Sequence, residues 1–330
     1  MSINNRLIST GGVPVPGPDF YGVRYTGTGS TQDITGFGFT PDIVWVKGNI
    51  VTNPAMSSII NGFSSFLSWN TSGGLTSLTS TATPIADGVR ITGSDASYNQ
   101  SGVTYDIFAW KAGGNPKTNT KGTITSQTSA NVGSGISVIS WTGNDTNGAT
   151  IGHGLSSAPE LVIVKSTNSG TFWMMGGAAM GNNSYQSFND YNGTIQTNNT
   201  SIFQTFDATT FSVGTDASVN SSSQNYIAWC FHSVDGFSKI GKYASNNVTG
   251  TVATTFAPKF FLGRSTTCGY PGYVKNKYMS TYFYQLYINS ASVQGPGIDL
   301  RTNDFRYKTW FNDQLRCGDV VYATFGSDLM

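Results

Sequence analysis

A repeated proline-to-cation segment is the feature that most constrains how this chain can fold. It occurs three times, and each copy runs from a proline through an apolar stretch to a cation six residues later. The copies span 41–47, 159–165 and 258–264. A short apolar run with proline at its first position is typical of a β-strand that is buried on both faces. The sequence therefore predicts three related units, each containing such a strand.

A second strand pattern closes each unit. Six-residue apolar or aromatic runs begin 64, 67 and 62 residues after the three prolines, at Tyr105, Tyr226 and Val320. The first two units also share the turn sequence Gly-x-Asp-Ala-Ser-x-Asn, in which Asp95 and Asp216 lie 15 residues before the last aromatic residue of the closing run. These two units are therefore closely related, and the third has diverged.

Composition favours an all-β chain. Of 330 residues, 40 are glycine, 11% are charged, and Glu160 is the single glutamate, so turn-forming residues outnumber helix-forming ones. We predict tandem antiparallel β-sandwich repeats of a jelly-roll-like kind. The predicted segments are an extended arm at 1–20, repeats at 21–111, 137–232 and 233–330, and a polar linker at 112–136.

Charge and hydropathy exclude several classes of partner. A net charge of +1 leaves no basic footprint for a nucleic-acid backbone. No stretch approaches the ~20 apolar residues of a membrane-spanning helix, and the start lacks the apolar core of a signal peptide. We therefore expect synthesis in the cytoplasm and no nucleic-acid or membrane partner. Three cysteines without CxxC spacing favour neither disulfides nor zinc, although Cys268 and Cys317 could pair.

The acidic residues offer little for catalysis. Glu160 occupies the position of Asp42 in the first repeat and Lys259 in the third, which is typical of a solvated strand start. Asp95 and Asp216 lie in turns where aspartate usually accepts hydrogen bonds from nearby backbone amides. Calcium binding by these turns is the alternative, because neighbouring Ser and Asn oxygens could complete a site. A facing pair of carboxyl groups, as in glycosidases, is not indicated.

The two histidines are also predicted to be structural. His153 matches Phe37 of the first repeat, and His232 aligns with Lys111. A serine-hydrolase elbow, a Walker loop and a dinucleotide-binding motif do not occur in the sequence. We therefore predict that the protein is not an enzyme and uses no metal or cofactor.

Each proline-to-cation segment ends in a long cation, at Lys47, Lys165 and Arg264. A long cation at a strand end usually lays its stem over apolar surface and keeps its charge in water. We expect solvated charges here, and a shared ligand-binding face is the alternative.

A tyrosine-rich stretch in the third repeat is the strongest candidate for a binding surface. Tyrosine supplies large and stiff amphipathic contact area, which suits protein interfaces and sugar stacking. Alternate tyrosines could instead form the core face of a strand. The predicted interface or receptor contacts are Tyr270, Tyr273, Lys275, Lys277, Tyr278, Tyr282 and Tyr284.

The first 20 residues are predicted to form an extended tether that anchors the chain. Their Gly/Pro-rich stretch at 11–18 favours an extended path, which suits a tether better than a domain. The predicted anchoring residues are Ile3, Arg6, Leu7, Val13 and Val15.

Several quoted stretches together resemble a known repeat. They are the Tyr-Thr-Gly turn at 25–27, Gly-Phe-Gly-Phe-Thr-Pro-Asp-Ile-Val-Trp-Val-Lys at 36–47, and Thr-Tyr-Asp-Ile-Phe-Ala-Trp-Lys-Ala-Gly-Gly at 104–114. The second copy, Ile-Gly-His-Gly-Leu-Ser-Ser-Ala-Pro-Glu-Leu-Val-Ile-Val-Lys at 151–165, is more similar still. They resemble a repeat of uncharacterised function in virion structural proteins of tailed, often marine, bacteriophages.

This resemblance implies a non-enzymatic virion structural protein without catalytic residues. We expect a tail-associated role, in a fibre, baseplate or adsorption structure, ahead of capsid decoration. The implied partners are other virion proteins, further copies of the chain, with a trimer favoured, and a host surface glycan. A carbohydrate-binding module and a surface-glycan hydrolase are the further alternatives.

Overall fold

Antiparallel β-strands make up the protein. A computed structural model describes residues 19–50, 52–77, 79–190, 193–245, 249–267, 273–276, 284–285, 298–307 and 318–326. Within these ranges the secondary structure consists of strands without helices, which confirms the all-β, sandwich-like fold predicted from the sequence. No helix that could cross a membrane is therefore found in them.

The first unit pairs a large sheet with a small one. Its strands are β1 (Phe20–Thr26), β2 (Gln32–Thr35), β3 (Ile43–Gly48), β4 (Ala55–Ser58), β5 (Gly62–Ser68), β6 (Thr76–Ser77), β7 (Ala82–Ile85), β8 (Gly88–Ile91) and β9 (Thr104–Trp110). The large sheet has the order β1-β9-β3-β4-β5-β6, and the small sheet has the order β2-β8-β7.

The second unit has the same two sheets, with two strands added at one edge of the large sheet and no described strand equivalent to β6 at the other. Its strands are β10 (Lys117–Asn119), β11 (Ser126–Asn131), β12 (Ile136–Thr142), β13 (Ala149–Gly152), β14 (Leu161–Ser166), β15 (Met174–Gly176), β16 (Gln186–Ser187), β17 (Phe203–Phe206), β18 (Thr210–Val213) and β19 (Asn225–Phe231). The large sheet has the order β10-β11-β12-β19-β14-β15-β16, and the small sheet has the order β13-β18-β17.

The third unit repeats the arrangement. Its strands are β20 (Ser238–Ala244), β21 (Gly250–Ala253), β22 (Pro258–Ser265), β23 (Tyr273–Asn276), β24 (Tyr284–Gln285), β25 (Ile298–Leu300), β26 (Asp304–Tyr307) and β27 (Asp319–Gly326). The large sheet has the order β20-β27-β22-β23-β24, and the small sheet has the order β21-β26-β25.

One pairing order is common to the three large sheets. In each unit the closing strand lies between two others, the strand of the proline-to-cation segment and the strand equivalent to β1. The three orders are β1-β9-β3, β12-β19-β14 and β20-β27-β22. In the first unit, Trp110 of β9 lies opposite both Phe20 and Ile43. The repeat seen in the sequence is therefore a repeat of topology.

The segment predicted to be a polar linker, 112–136, is largely part of the second unit's large sheet. β11 pairs with β12 over five residues, and β10 pairs with β11. Ser126 and Thr128 are buried although they are polar. Small polar residues give no alternating apolar pattern, so this strand pair was not visible in the sequence.

The strands of the proline-to-cation segments are buried on both faces, as predicted. In β3, Ile43 and Trp45 join one core cluster, whereas Val44 and Val46 join another. β14 and β22 divide their side chains in the same way. Alternation along the strand sends successive side chains to opposite faces, so each large sheet packs against two layers.

An aromatic core common to all three units lies on one face of the large sheets. Ring centroids lie 5.6 Å apart for Phe20 and Phe260, 5.3 Å for Trp69 and Trp173, and 5.5 Å for Phe231 and Phe325. Each unit therefore contacts both of the others. The prediction that every repeat is its own sandwich needs this correction: each unit has an inner core between its two sheets, but its large sheet also buries a face against its neighbours.

Candidate functional site

Most residues of the predicted binding surface and anchor lie outside the described residues. This holds for Tyr270, Lys277, Tyr278 and Tyr282, and for Ile3, Arg6, Leu7, Val13 and Val15. The backbone of Tyr273 and Lys275 lies in β23 and that of Tyr284 in β24, two strands that extend the large sheet of the third unit. The roles of these residues remain predictions.

The shared turn sequence fixes one end of the first and second units. Asp95 Oδ1 accepts a hydrogen bond from the backbone amide of Ser97 at 2.7 Å, and Asp216 Oδ1 accepts one from Ser218 at 2.7 Å. These are the local aspartate-to-amide bonds that the sequence predicts. Among the residues that the structure describes, no group of three or more His, Cys, Asp or Glu could hold a metal ion.

Two buried asparagines in the same turns were not predicted. Asn99 Oδ1 accepts a hydrogen bond from the Thr28 amide at 2.9 Å, and its Nδ2 donates to the carbonyls of Ser30 and Gly93 at 2.6 and 2.8 Å. Asn220 makes the equivalent three bonds in the second unit at 2.9–3.0 Å. The signal was present, because each asparagine closes the sequence that the two units share.

In the first and second units, the first tyrosine of the closing strand completes the turn. The Tyr105 hydroxyl accepts from the Gln100 amide at 2.9 Å and donates to the Ala96 carbonyl at 2.8 Å. The Tyr226 hydroxyl makes the same pair of bonds in the second unit. Burial raises the pKa of both phenols, so they stay protonated and able to donate. These turns are structural elements.

The carboxylates at the strand starts accept hydrogen bonds from the backbone and are at least partly buried, which corrects the interpretation of Glu160 as a fully solvated group. Asp42 is buried, its Oδ2 accepts from the Gly114 amide at 3.1 Å, and burial raises its pKa. Glu160 is partly buried and accepts from both the amide and the hydroxyl of Ser233. Each carboxylate therefore fixes the backbone just after the closing strand of its unit.

The histidines have structural surroundings. His153 is fully buried, its Nε2 lies 3.0 Å from the Asp207 carbonyl, and its Nδ1 accepts from the Leu155 amide at 3.1 Å. Burial lowers its pKa, which favours the neutral ring that this bonding needs. His232 Nδ1 lies 3.1 Å from the Ala158 carbonyl and 3.8 Å from Glu160. Each ring therefore has a nitrogen within hydrogen-bond distance of a backbone carbonyl.

The cations that end the proline-to-cation segments are withdrawn from water, so the prediction of solvated charges is wrong. Lys165 is fully buried, and its Nζ donates to the carbonyls of Ser166 and Ser169 at 2.8 and 3.1 Å. Lys47 is partly buried and donates to the carbonyls of Gly48, Ile50 and Thr52 at 2.7–3.1 Å. Burial lowers the pKa of each lysine to about 8. Backbone carbonyls replace the water that a surface ammonium would bind.

Arg264 makes a different connection from the same position. It is 1% exposed, and its guanidinium donates to the carbonyls of Phe188, Asp190 and Gly193 in the second unit at 2.7–3.0 Å. Burial lowers its pKa to about 10. Arg264 therefore joins two units, whereas each lysine holds a loop of its own unit.

A groove of about 460 Å³ lies where the added strands of the second unit meet the rest of that unit. Its lining comes from 113–121, from Thr128 and Ala130 of β11, from the turn at 154–155 and from Thr209. The groove was not predicted from the sequence, because its lining comes from four separate stretches of the chain. It is the concave surface on which a ligand could be bound.

The chain also matches a protein family. A family model described as "Domain of unknown function (DUF7483)" matches residues 16–327. The chain belongs to this family. The DUF7483 match takes in all three units, in agreement with the core that they share. No curated protein and no solved structure matches the chain.

Proposed function

We propose that this chain is a non-catalytic structural component of a tailed-bacteriophage particle, associated with the tail. The observation that carries the proposal is the fusion of three equivalent sheet pairs around one aromatic core. Such a body is a rigid building block. The resemblance of the segments at 36–47, 104–114 and 151–165 to virion repeats supplies the link to phage.

The use of the polar side chains supports a structural role. Asp42, Glu160, Asp95 and Asp216 accept hydrogen bonds from backbone amides, and His153 is bonded through both ring nitrogens. Side chains that are hydrogen-bonded to the backbone in this way stabilise its conformation. The partners in this proposal are other virion proteins, two further copies of the chain in a trimer, and a host surface glycan, with the arm at 1–20 as the anchor.

Capsid decoration is the second candidate, and one observation favours it. A single chain brings three topologically equivalent units into mutual contact, which suits a position of threefold symmetry on a shell. A decoration protein would use the same arm to hold the shell.

Gold labelling of purified particles distinguishes these roles. Antibodies raised against residues 137–330 should label the tail or its fibres in electron micrographs. Label spread over the head would replace the tail assignment by capsid decoration. Particles without label would overturn the virion proposal.

Deleting residues 1–18 tests the anchor and leaves Asp19 and the core residue Phe20 in place. The truncated chain should keep the far-ultraviolet circular dichroism of the full chain and be missing from assembled particles. Normal incorporation of the truncated chain would refute the anchoring role of Ile3, Arg6, Leu7, Val13 and Val15.

A surface-glycan hydrolase is the competing class, and it has a direct assay. The proposal predicts no release of reducing sugar from host polysaccharide by the purified protein. Release that is lost in Asp95→Asn or Asp216→Asn would establish the enzyme instead.

A further inference from the structure

Among the residues that the structure describes, the other two units have no strands equivalent to β10 and β11, on which the groove of the second unit depends. β10 and β11 extend the large sheet beyond β12, whereas β1 and β20, the equivalents of β12, are the last described strands of their sheets. A feature added to one of three equivalent units is not required by their common fold.

The groove is held in shape by bonds between the added segment and the strand β13. The amide of Thr123 donates to Thr150 Oγ1 at 2.8 Å, and the Ser126 hydroxyl donates to the Gly152 carbonyl at 2.8 Å. Gly154 has a φ of 77°, and a Cβ there would lie 2.6 Å from Thr128 Cγ2. Glycine at this position therefore lets the turn approach the surface of β11.

The chemistry of the groove is cationic and rich in hydrogen-bonding groups. Lys117 and Lys121 are exposed in its lining, together with the side chains of Asn115, Thr118 and Thr120. Neither lysine forms an ion pair or a side-chain hydrogen bond with the residues that the structure describes, and no carboxylate lines the groove among them.

Most other cations of the described part have partners. Arg24, Arg90, Lys242 and Arg301 form ion pairs, and Lys239 donates to the Ala253 carbonyl. Two free ammonium groups four residues apart in one concave surface therefore set this groove apart.

We propose that the groove binds an anionic saccharide unit, a sugar that carries a carboxylate or a sulfate. The ammonium groups of Lys117 and Lys121 pair with the anionic group, and the Asn and Thr side chains bond the sugar hydroxyls. Ala130 and Leu155 offer apolar surface to the ring carbons. A volume of about 460 Å³ lies within the range of small-ligand pockets. This inference deepens the proposed function and rests on it for its biological meaning, because a host surface glycan is what an adsorption protein contacts.

Titration calorimetry of the purified full chain at low salt tests the proposal. The probes are oligogalacturonate for the carboxylate and dextran sulfate for the sulfate, with neutral dextran as the uncharged control. We expect binding to at least one acidic probe, weaker binding as salt is added, and none to dextran. Which acidic probe binds identifies the anionic group. Absence of binding to both acidic probes would overturn the proposal.

Variants locate the binding. K117Q/K121Q should weaken it about 10-fold or more, because two charge-assisted bonds are lost, and K117R/K121R should retain most of it. Thr209→Trp, which fills the groove without changing charge, should also weaken it. K239Q/K242Q removes the same charge from the third unit and should leave affinity unchanged.

Equal losses in K117Q/K121Q and K239Q/K242Q would indicate general charge attraction and overturn the site. Self-association of K117Q/K121Q, with no acidic probe bound by the parent protein, would mean that the lysines only protect the edge strand β10. These results use the isolated chain, so they are distinguishable from a failure of particle labelling.

Discussion

Lys165 and Arg264 end equivalent strands of the second and third units, yet they hold different parts of the molecule. Lys165 donates to carbonyls of the loop that follows its own strand, whereas Arg264 reaches three carbonyls of the neighbouring unit. Because the guanidinium of Arg264 is longer and forked, it reaches the neighbouring unit, whereas the ammonium of Lys165 bonds only within its own unit. The cation at this repeated position is therefore buried in both units, but the carbonyls to which it donates differ.

The largest expected effect on stability comes from the common core, where side chains of the three units pack together. Phe260 packs against Phe20, Trp45 and Phe108 of the first unit, so Phe260→Ala should lower the free energy of unfolding by about 4 kcal/mol. Urea denaturation followed by tryptophan fluorescence measures this. Val132→Ala, at a side chain that is 51% exposed, is the control and should change stability little. A loss for Phe260→Ala no larger than that of the control would contradict a common core.

The two cations give the next largest effect. Arg264→Met should cost about 3 kcal/mol and Lys165→Met about 2 kcal/mol, because three and two buried carbonyls lose their donors, partly offset by relief from burying a charge. The same denaturation assay measures both. Arg264→Lys should recover only part of the loss, since an ammonium lacks the planar fork. If Lys165→Met proved the more damaging, the joining role of Arg264 would be refuted.

The turns should behave alike in the first two units. Tyr105→Phe and Tyr226→Phe should each cost about 1.5 kcal/mol, because each removes one donated and one accepted hydrogen bond. Tyr307→Phe is the matched control, because its hydroxyl makes a long, exposed bond of 3.4 Å. Clearly unequal costs at Tyr105 and Tyr226 would break the equivalence of the two turns.

The smallest effect is a pH dependence. Burial lowers the pKa of Lys165 to about 8, against an ordinary value of 10.5. Between these values the unfolded chain holds the proton and the folded chain releases it, so the Lys165 contribution to stability rises with pH. The stability of the parent protein relative to Lys165→Met should therefore increase by up to about 1 kcal/mol from pH 8 to 9. A difference that stays flat or falls over this range would show that the ammonium is not desolvated.

The strands formed by continuous apolar runs could be predicted from the sequence, but the packing of the three units against one another could not. Trp45 and Val46 point to opposite faces of β3, so the pattern showed that both faces are buried. It did not show that the layer on one face comes from two other units, because alternation carries no information about which layer covers a face.

Strands made of polar residues, and sites formed by residues that are distant in the chain, could not be predicted from the sequence. β11 buries Ser126, Thr128 and Ser129, which give no apolar signal, and its residues were interpreted as a linker. The groove unites 113–121 with Thr209, and only the fold brings these together. Asn99 lay within a recognised turn sequence, yet its burial depends on loops about 70 residues away in the chain.

We infer that the three sheet pairs form one cooperative body around a common aromatic core. Hydrogen exchange measured by mass spectrometry at increasing urea concentrations tests it most directly, by following the amides of β3, β14 and β22. These three strands should lose protection together, with the same opening free energy. Loss of protection in one unit while the other two remain protected would contradict it.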